Sequence, residues 1–313
     1  MTLNRSASFV LVLAWLALAL GCGGNSAPSV PGTPDGTVMA VSQGLSGNQP
    51  QVIWAAAPAS YQKDLNEVVH LFASKMDAEV WNRSVGTARK VVSLLQTKKG
   101  MVLGSKMLAQ MDMADMKKVE AEWDNVVGIL ETALDSDLAS LDKMKNMNIG
   151  DFLADTGAKL MAQVEAAAGA AKGDPFQNEF KSQFENVQVK VVSQEGDKAT
   201  LEVTTKGKPA KKSEWMKVEG KWVPEELAKD WTREMGDVKK QIEAMDTEFS
   251  DNDKKQFVGM LEMVDKTIDK LGAAKDQAEF DAALGEVMGG LMGGLMGGGM
   301  PDRAAPAGFK VPK

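Results

Sequence analysis

The sequence predicts an α+β fold dominated by helix: a multi-helix body, two β-hairpins forming a small antiparallel sheet, and a C-terminal helical hairpin. Three observations predict it. Apolar residues recur three and four apart from Ser60 to Asn186 and again after Pro224, the period of an amphipathic helix. Between those stretches, from 187 to 224, the period falls to two and turn residues interrupt it, as in paired strands. The composition, 44% hydrophobic and 25% charged, is that of a globular chain with a core to fill.

Each element has its own signal. Leu65, Val68, Val69, Phe72 and Met76 form one helical face. Asp77 can cap the next helix, which buries Val80, Trp81, Val85, Ala88, Val91, Val92 and Leu95, with Gly100 as its stop. A helix opening near Asp115 carries the stripe Val119, Trp123, Val126, Val127, Leu130 and Leu134. An alanine-rich helix spans Phe152 to Lys172. Asp174-Pro175 announces a short helix through Phe184, with proline at the first helical position.

In the strand region Val187, Val189 and Val191 alternate, Glu195-Gly196-Asp197 turns, and Ala199, Leu201 and Val203 alternate again. A second, tighter hairpin joins Glu214–Val218 to Lys221–Pro224 through Glu219-Gly220, with Trp215 and Trp222 on its two arms. The stretch Val218-Glu219-Gly220-Lys221-Trp222-Val223-Pro224 resembles the strands of small cystatin-like or NTF2-like domains. Helix then returns. Leu227, Trp231, Met235, Val238, Ile242 and Met245 make one stripe; Phe257, Leu261, Val264, Ile268 and Leu271 make another, spaced like a coiled-coil seam. The two most simply form an antiparallel hairpin across Ser250–Asp253. Asp276–Glu279 is a capping-box-like start for a last helix.

The chain opens differently. Arg5 precedes an unbroken apolar run from Phe9 to Leu20, too short for a comfortable membrane span and typical of an export signal. The run ends in Ala19-Leu20-Gly21-Cys22, which resembles the bacterial lipobox cut by signal peptidase II. That resemblance implies removal of 1–21 and lipidation of Cys22, palmitate among the acyl groups, with a body held on the cell membrane or outer membrane and facing the periplasm or the exterior. Apolar leaders seldom end on a cysteine, which disfavours a plain secretory signal. Residues 22–50, rich in Gly, Ser, Pro, Asn and Thr, read as a disordered tether with a reach of about 30 Å. The helical region then covers 51–186, the hairpins 187–224, and C-terminal helices packing on the same body 225–288. Residues 289–313 are a Met/Gly-rich low-complexity tail.

Composition excludes much chemistry. The formal charge of −7 argues against nucleic acid as a partner and leaves membrane attachment to the lipid; the basic cluster Lys206–Lys212 reads as a solvated loop. Cys22 is the only cysteine and His70 the only histidine, so no thiol remains for a disulfide or thiolate site and no histidine-rich zinc site can form. His70 lies off its helix stripe, as a boundary residue would. No GxGxxG, P-loop, HExxH or GxSxG pattern occurs, and the Asn82-Arg83-Ser84 sequon has no meaning in a bacterial lipoprotein.

Three constellations are candidates for chemistry. Met288, Met292, Met296 and Met300 stand four apart in the tail and would line one face of a helix, where thioethers select Cu(I); Met107, Met111, Met113 and Met116 form a second methionine cluster. Paired glycines oppose helix there, and Gly285, Gly289, Gly293 and Gly297 could instead allow close helix approach. Glu225, Glu226, Asp230 and Asp237 cluster after the tryptophan hairpin and could supply a glycosidase-like acid pair. Trp81, Trp123 and Trp231 read as core; Trp215 and Trp222 read as covering the sheet, or as an exposed carbohydrate platform. Asp135, Asp137 and Asp142 lack the glycine and closing glutamate of an EF-hand. The sequence reading is therefore a membrane-anchored envelope lipoprotein that binds or scaffolds an envelope partner without catalysis and without a cofactor. The alternatives are a copper(I)-binding envelope protein using the tail methionines and a carboxylate-dependent envelope hydrolase.

Overall fold

The change of period at 187 marks a change of structure, and so does its reversal at Pro224. A computed structural model of the chain describes residues 28–170, 184–205, 207–245 and 251–286. Its helices before the sheet are α1 (Pro34–Ser46), α2 (Gln51–Ala56), α3 (Ala59–Lys75), α4 (Ala78–Thr97), α5 (Lys99–Leu103), α6 (Met113–Leu134), α7 (Leu141–Met144), α8 (Ile149–Ala154) and α9 (Thr156–Ala170). After the sheet come α10 (Glu225–Glu243), α11 (Asp251–Ala273) and α12 (277–286). Strands β1 (Gln188–Glu195), β2 (Lys198–Thr204), β3 (Lys211–Val218) and β4 (Lys221–Pro224) form one antiparallel sheet in chain order. The fold is α+β and helix-dominated.

The hairpins join because β2 pairs with β3 as well as with β1, setting Ala199 opposite Trp215 and Leu201 opposite Ser213. Leu201 is fully buried at the centre of the sheet, while Thr200 on the other face bonds Glu214 across the strands at 2.8 Å. In the second hairpin both turn residues have positive φ, Glu219 at 50° and Gly220 at 80°, as a two-residue turn between twisted strands demands. Glu219 has a second task. Its carboxylate accepts from Ser60 N at 3.0 Å, at the start of α3, whose own N-cap Pro58 offers no side-chain acceptor.

α1 and α10 both lie against the sheet, α1 on β1, β2 and β4, α10 on β3 and β4. α10 also packs on α3, and α11 on α4. The two C-terminal stripes thus follow one another in the chain as expected, and each finds its chief partner in a different helix of the N-terminal half. The Asp77 cap forms as read, its Oδ1 accepting from Glu79 N at 2.9 Å and Val80 N at 3.0 Å. His70 sits at a boundary, its Nε2 2.8 Å from the Met147 carbonyl.

Several expectations need correction. The tether assigned to 22–50 is not a tether over its described part, because 33–46 folds as a capped helix. Thr33 Oγ1 accepts from Gly36 N at 3.2 Å, Pro34 occupies the first turn, and Leu45 is buried against Val52 and Met161. Apolar residues only three and four apart suffice for a helix when the sheet supplies the surface they cover. The single helix from Phe152 to Lys172 is two, since Asn148 caps α8 and the chain turns at Asp155 before α9. Gly100 is no stop: α4 ends at Thr97 and Gly100 lies inside α5. The long helix is capped by Asp112, and Val126 and Leu130 on its stripe are exposed. The leader with Cys22, the segment 171–183 and the tail with Met288, Met292, Met296 and Met300 lie outside the described residues.

Candidate functional site

Between α1, the α2–α3 corner, α8, the sheet and α10 lies a cavity of about 440 Å³. That is within the usual 300–1,000 Å³ of small-molecule pockets. α1 contributes Val38 and Val41, three residues apart and hence on one face. The α2–α3 corner adds Ile53, Trp54, Pro58, Tyr61 and Leu65, and α8 adds Ile149 and Leu153. The sheet supplies Val203, Trp215, Trp222 and Val223. α10 closes the site with Leu227 and Trp231, beside the acids Glu226, Asp230 and Glu234.

The aromatic walls are fixed at their polar ends. Trp222, 2% exposed, donates its indole N–H to the Gly32 carbonyl at 2.9 Å, and Trp215 donates to Ser213 Oγ at 2.9 Å. Trp231 stacks on Tyr61, with centroids 3.9 Å apart and planes 9° from parallel, and donates to Asp64 Oδ2 at 2.9 Å. Trp54 passes so close to α8 that a Cβ on Gly150 would collide with its indole. Two further polar groups at or near the wall are satisfied in the same way. Ser42 Oγ donates to the Phe184 carbonyl at 2.6 Å, and Lys221 Nζ to the Ala55 carbonyl at 2.7 Å. With these groups bonded to one another, the interior presents carbon and ring surface to any occupant.

Behind Trp231 stands a half-buried charge network. Lys239 Nζ lies 2.8 Å from Asp64 Oδ1 and 2.7 Å from Glu67 Oε2. Burial alone would raise the Asp64 carboxyl, but the bonds from Lys239 and Trp231 and the nearby lysine charges hold it below the usual range. Glu67 is lowered chiefly by the Lys239 bond, and Lys239 is raised because its two carboxylates outweigh its burial. Burial pushes the Tyr61 hydroxyl up, and the Glu219 and Asp64 carboxylates push it the same way.

The sequence-derived candidates divide. Glu226 and Asp230 reach the pocket mouth, while Glu225 is taken by Lys229 at 2.8 Å and Lys198 at 3.3 Å, which lower its carboxyl, and Asp237 does not line the cavity. The mouth acids all stand on one helix, along one wall, whereas a glycosidase pair flanks its substrate from two sides. Trp222 is buried and is no carbohydrate platform. Asp135, Asp137 and Asp142 each pair with a cation, Arg89, Lys143 and Lys145. Met107, Met111 and Met113 are exposed. Among the described residues no group of three or more His, Cys, Asp or Glu side chains could hold a metal ion, and no helix is long and apolar enough to cross a membrane. Sequence reasoning missed Val38, Val41, Trp54 and Glu234. Val38 and Val41 bound a four-residue apolar run inside a segment otherwise of linker composition, and Glu234 continues the four-residue spacing of Glu226 and Asp230. No protein family, curated protein or solved structure matches the chain.

Proposed function

We propose that this chain is a lipid-anchored envelope protein that works by binding rather than by catalysis, and that it binds an apolar chain in the pocket between the sheet, α1 and α10. The observation that carries the reading is the cavity itself, held open by rings whose polar ends are tied to the wall. An apolar surface of this size favours burial of a flexible hydrocarbon by roughly 25 cal/mol per Å² removed from water. The lipobox at Ala19–Cys22 supports delivery of that site to a membrane surface, where apolar chains are abundant.

Two measurements test the two halves of the proposal. Cells fed labelled palmitate should label the chain, and Cys22→Ala should abolish that labelling; label retained by Cys22→Ala removes the anchor. A photo-crosslinking amino acid at Val41 should capture apolar molecules of low mass in intact cells, while the same group at Val192, exposed at the β1 bulge, should not. Equal capture from both positions, or capture of none, removes the pocket.

A further inference from the structure

The cavity is lined mostly by apolar side chains, and the charged ones among them are all acids, Glu226 exposed and Asp230 and Glu234 half-buried. Glu226, Asp230 and Glu234 line it from α10 at intervals of four, so they share one face, and no lysine, arginine or histidine lines it among the described residues. Asp230 is partly neutralised by Arg233 at 2.6 Å. Glu226 and Glu234 have no cation beside them among the described residues. Four lysines of the surrounding elements are already engaged: Lys217 lies over the Trp222 ring at 5.2 Å, Lys221 is bonded to the Ala55 carbonyl, Lys229 is paired with Glu225, and Lys239 sits between Asp64 and Glu67. Trp231, beside Asp230 on the same helix, adds an aromatic wall that itself attracts a cation.

Resting on the binding function proposed above, we infer that the occupant is a small amphiphile with a hydrocarbon tail and a cationic amine head. The tail lies among Val38, Val41, Leu153 and the tryptophans; the ammonium sits along the acid row of Glu226, Asp230 and Glu234. A carboxylate head would meet three acids and no free base there, and a neutral head would leave the two glutamates without a counter-charge. The site stands on the cavity; the acids select among its occupants.

The test uses three probes of equal chain length, octylamine, octanol and octanoate, titrated calorimetrically into the full chain in phosphatidylcholine nanodiscs, with empty discs subtracted. Octylamine should bind about five- to ten-fold tighter than octanol at low salt, and octanoate weaker than either. In the Glu226→Gln/Glu234→Gln double variant the ratio of octylamine to octanol affinity, both measured on that variant, should fall to within about two-fold. Octanol binding without an amine preference, or a preference that survives the double variant, overturns this inference and leaves the apolar pocket standing. Failure of all three probes to bind overturns the pocket as well.

Discussion

The half of the molecule around the pocket and the half built on α4, α6, α11 and α12 meet the same demand, burial of apolar stripes, with different side chains. Around the pocket the large residues are rings: Trp54, Tyr61, Trp215, Trp222 and Trp231. In the other half Val80, Val92, Val127, Ile268 and Leu271 close the seams, while methionines such as Met260 and Met263 spill to the surface. Trp215, Trp222 and Trp231 are pinned at their indole N–H and cannot fold into the gap, so the space between them stays open. Aliphatic and thioether chains adapt to whatever space they meet. The difference is one of density: those five rings meet around the pocket, whereas Trp81, Trp123 and Phe280 stand on three separate helices of the other half.

The comparison breaks most visibly at Trp231. Its ring is buried, stacked on Tyr61 and bonded to Asp64, and Trp231→Ala should lower unfolding free energy by about 3–5 kcal/mol in denaturant titration. A loss under 1 kcal/mol would show that the stack contributes little and that the wall is free to move.

Next comes the network behind that ring. Lys239→Met leaves Asp64 and Glu67 facing each other without their cation, and should cost about 2 kcal/mol near neutral pH, between exposed and fully buried pairs. The sign with pH follows from the shifts. Both carboxyls are held low in the folded chain, so their contribution is present above the ordinary carboxylate value of about 4 and is lost as pH falls through the lower folded values. Lys239 is raised, so its contribution holds at neutral pH and is lost as pH climbs through its folded value, above its ordinary 10.5. The gap between the native chain and the variant should therefore close at both extremes. A gap independent of pH would mean that the methionine acts through packing alone.

The second half depends instead on ends and edges. Asp77 caps α4 with one oxygen and meets Lys254 of α11 with the other at 3.0 Å. Asp77→Ala should cost about 1 kcal/mol, mostly the cap, and Asp77→Asn should recover most of it because the cap survives the loss of charge. If Asp77→Asn costs as much as Asp77→Ala, the Lys254 pair is the larger contribution.

Much of this was legible in the residues. Asp77 before an apolar stripe predicted the cap, and the shift to alternation at Val187 predicted the strands, because both are local rules. α1 was not legible, since 22–50 has a linker's composition and the helix depends on the sheet it covers. Which stripe meets which was also hidden: α10 and α11 read as partners by sequence proximity, yet their seams face α3 and α4. The pocket is a space between distant elements, from Val38 to Glu234, and no periodicity records a space. Of its acids, Glu226 and Asp230 were visible as part of a candidate glycosidase-like pair, and Glu234 was not singled out.

The smallest effect sharpens the comparison most, because it repeats one substitution across the two halves. Met235 on α10 is 3% exposed and Met263 on α11 is 64% exposed. Removing a buried methionine side chain costs roughly 2–5 kcal/mol, since contacts and apolar burial vanish together. Met263 has already left most of its surface in water, so Met263→Ala should stay within about 0.5 kcal/mol, with alanine's better helix propensity offsetting the lost contacts. Paired denaturant titrations of the two variants read the contrast directly. Equal losses at both positions would mean that the outer face of α11 is covered by a part of the chain beyond the described residues or by a second copy. Repeating the Met263→Ala titration with the chain cut after Glu286 separates these, since covering by the tail alone would disappear with it.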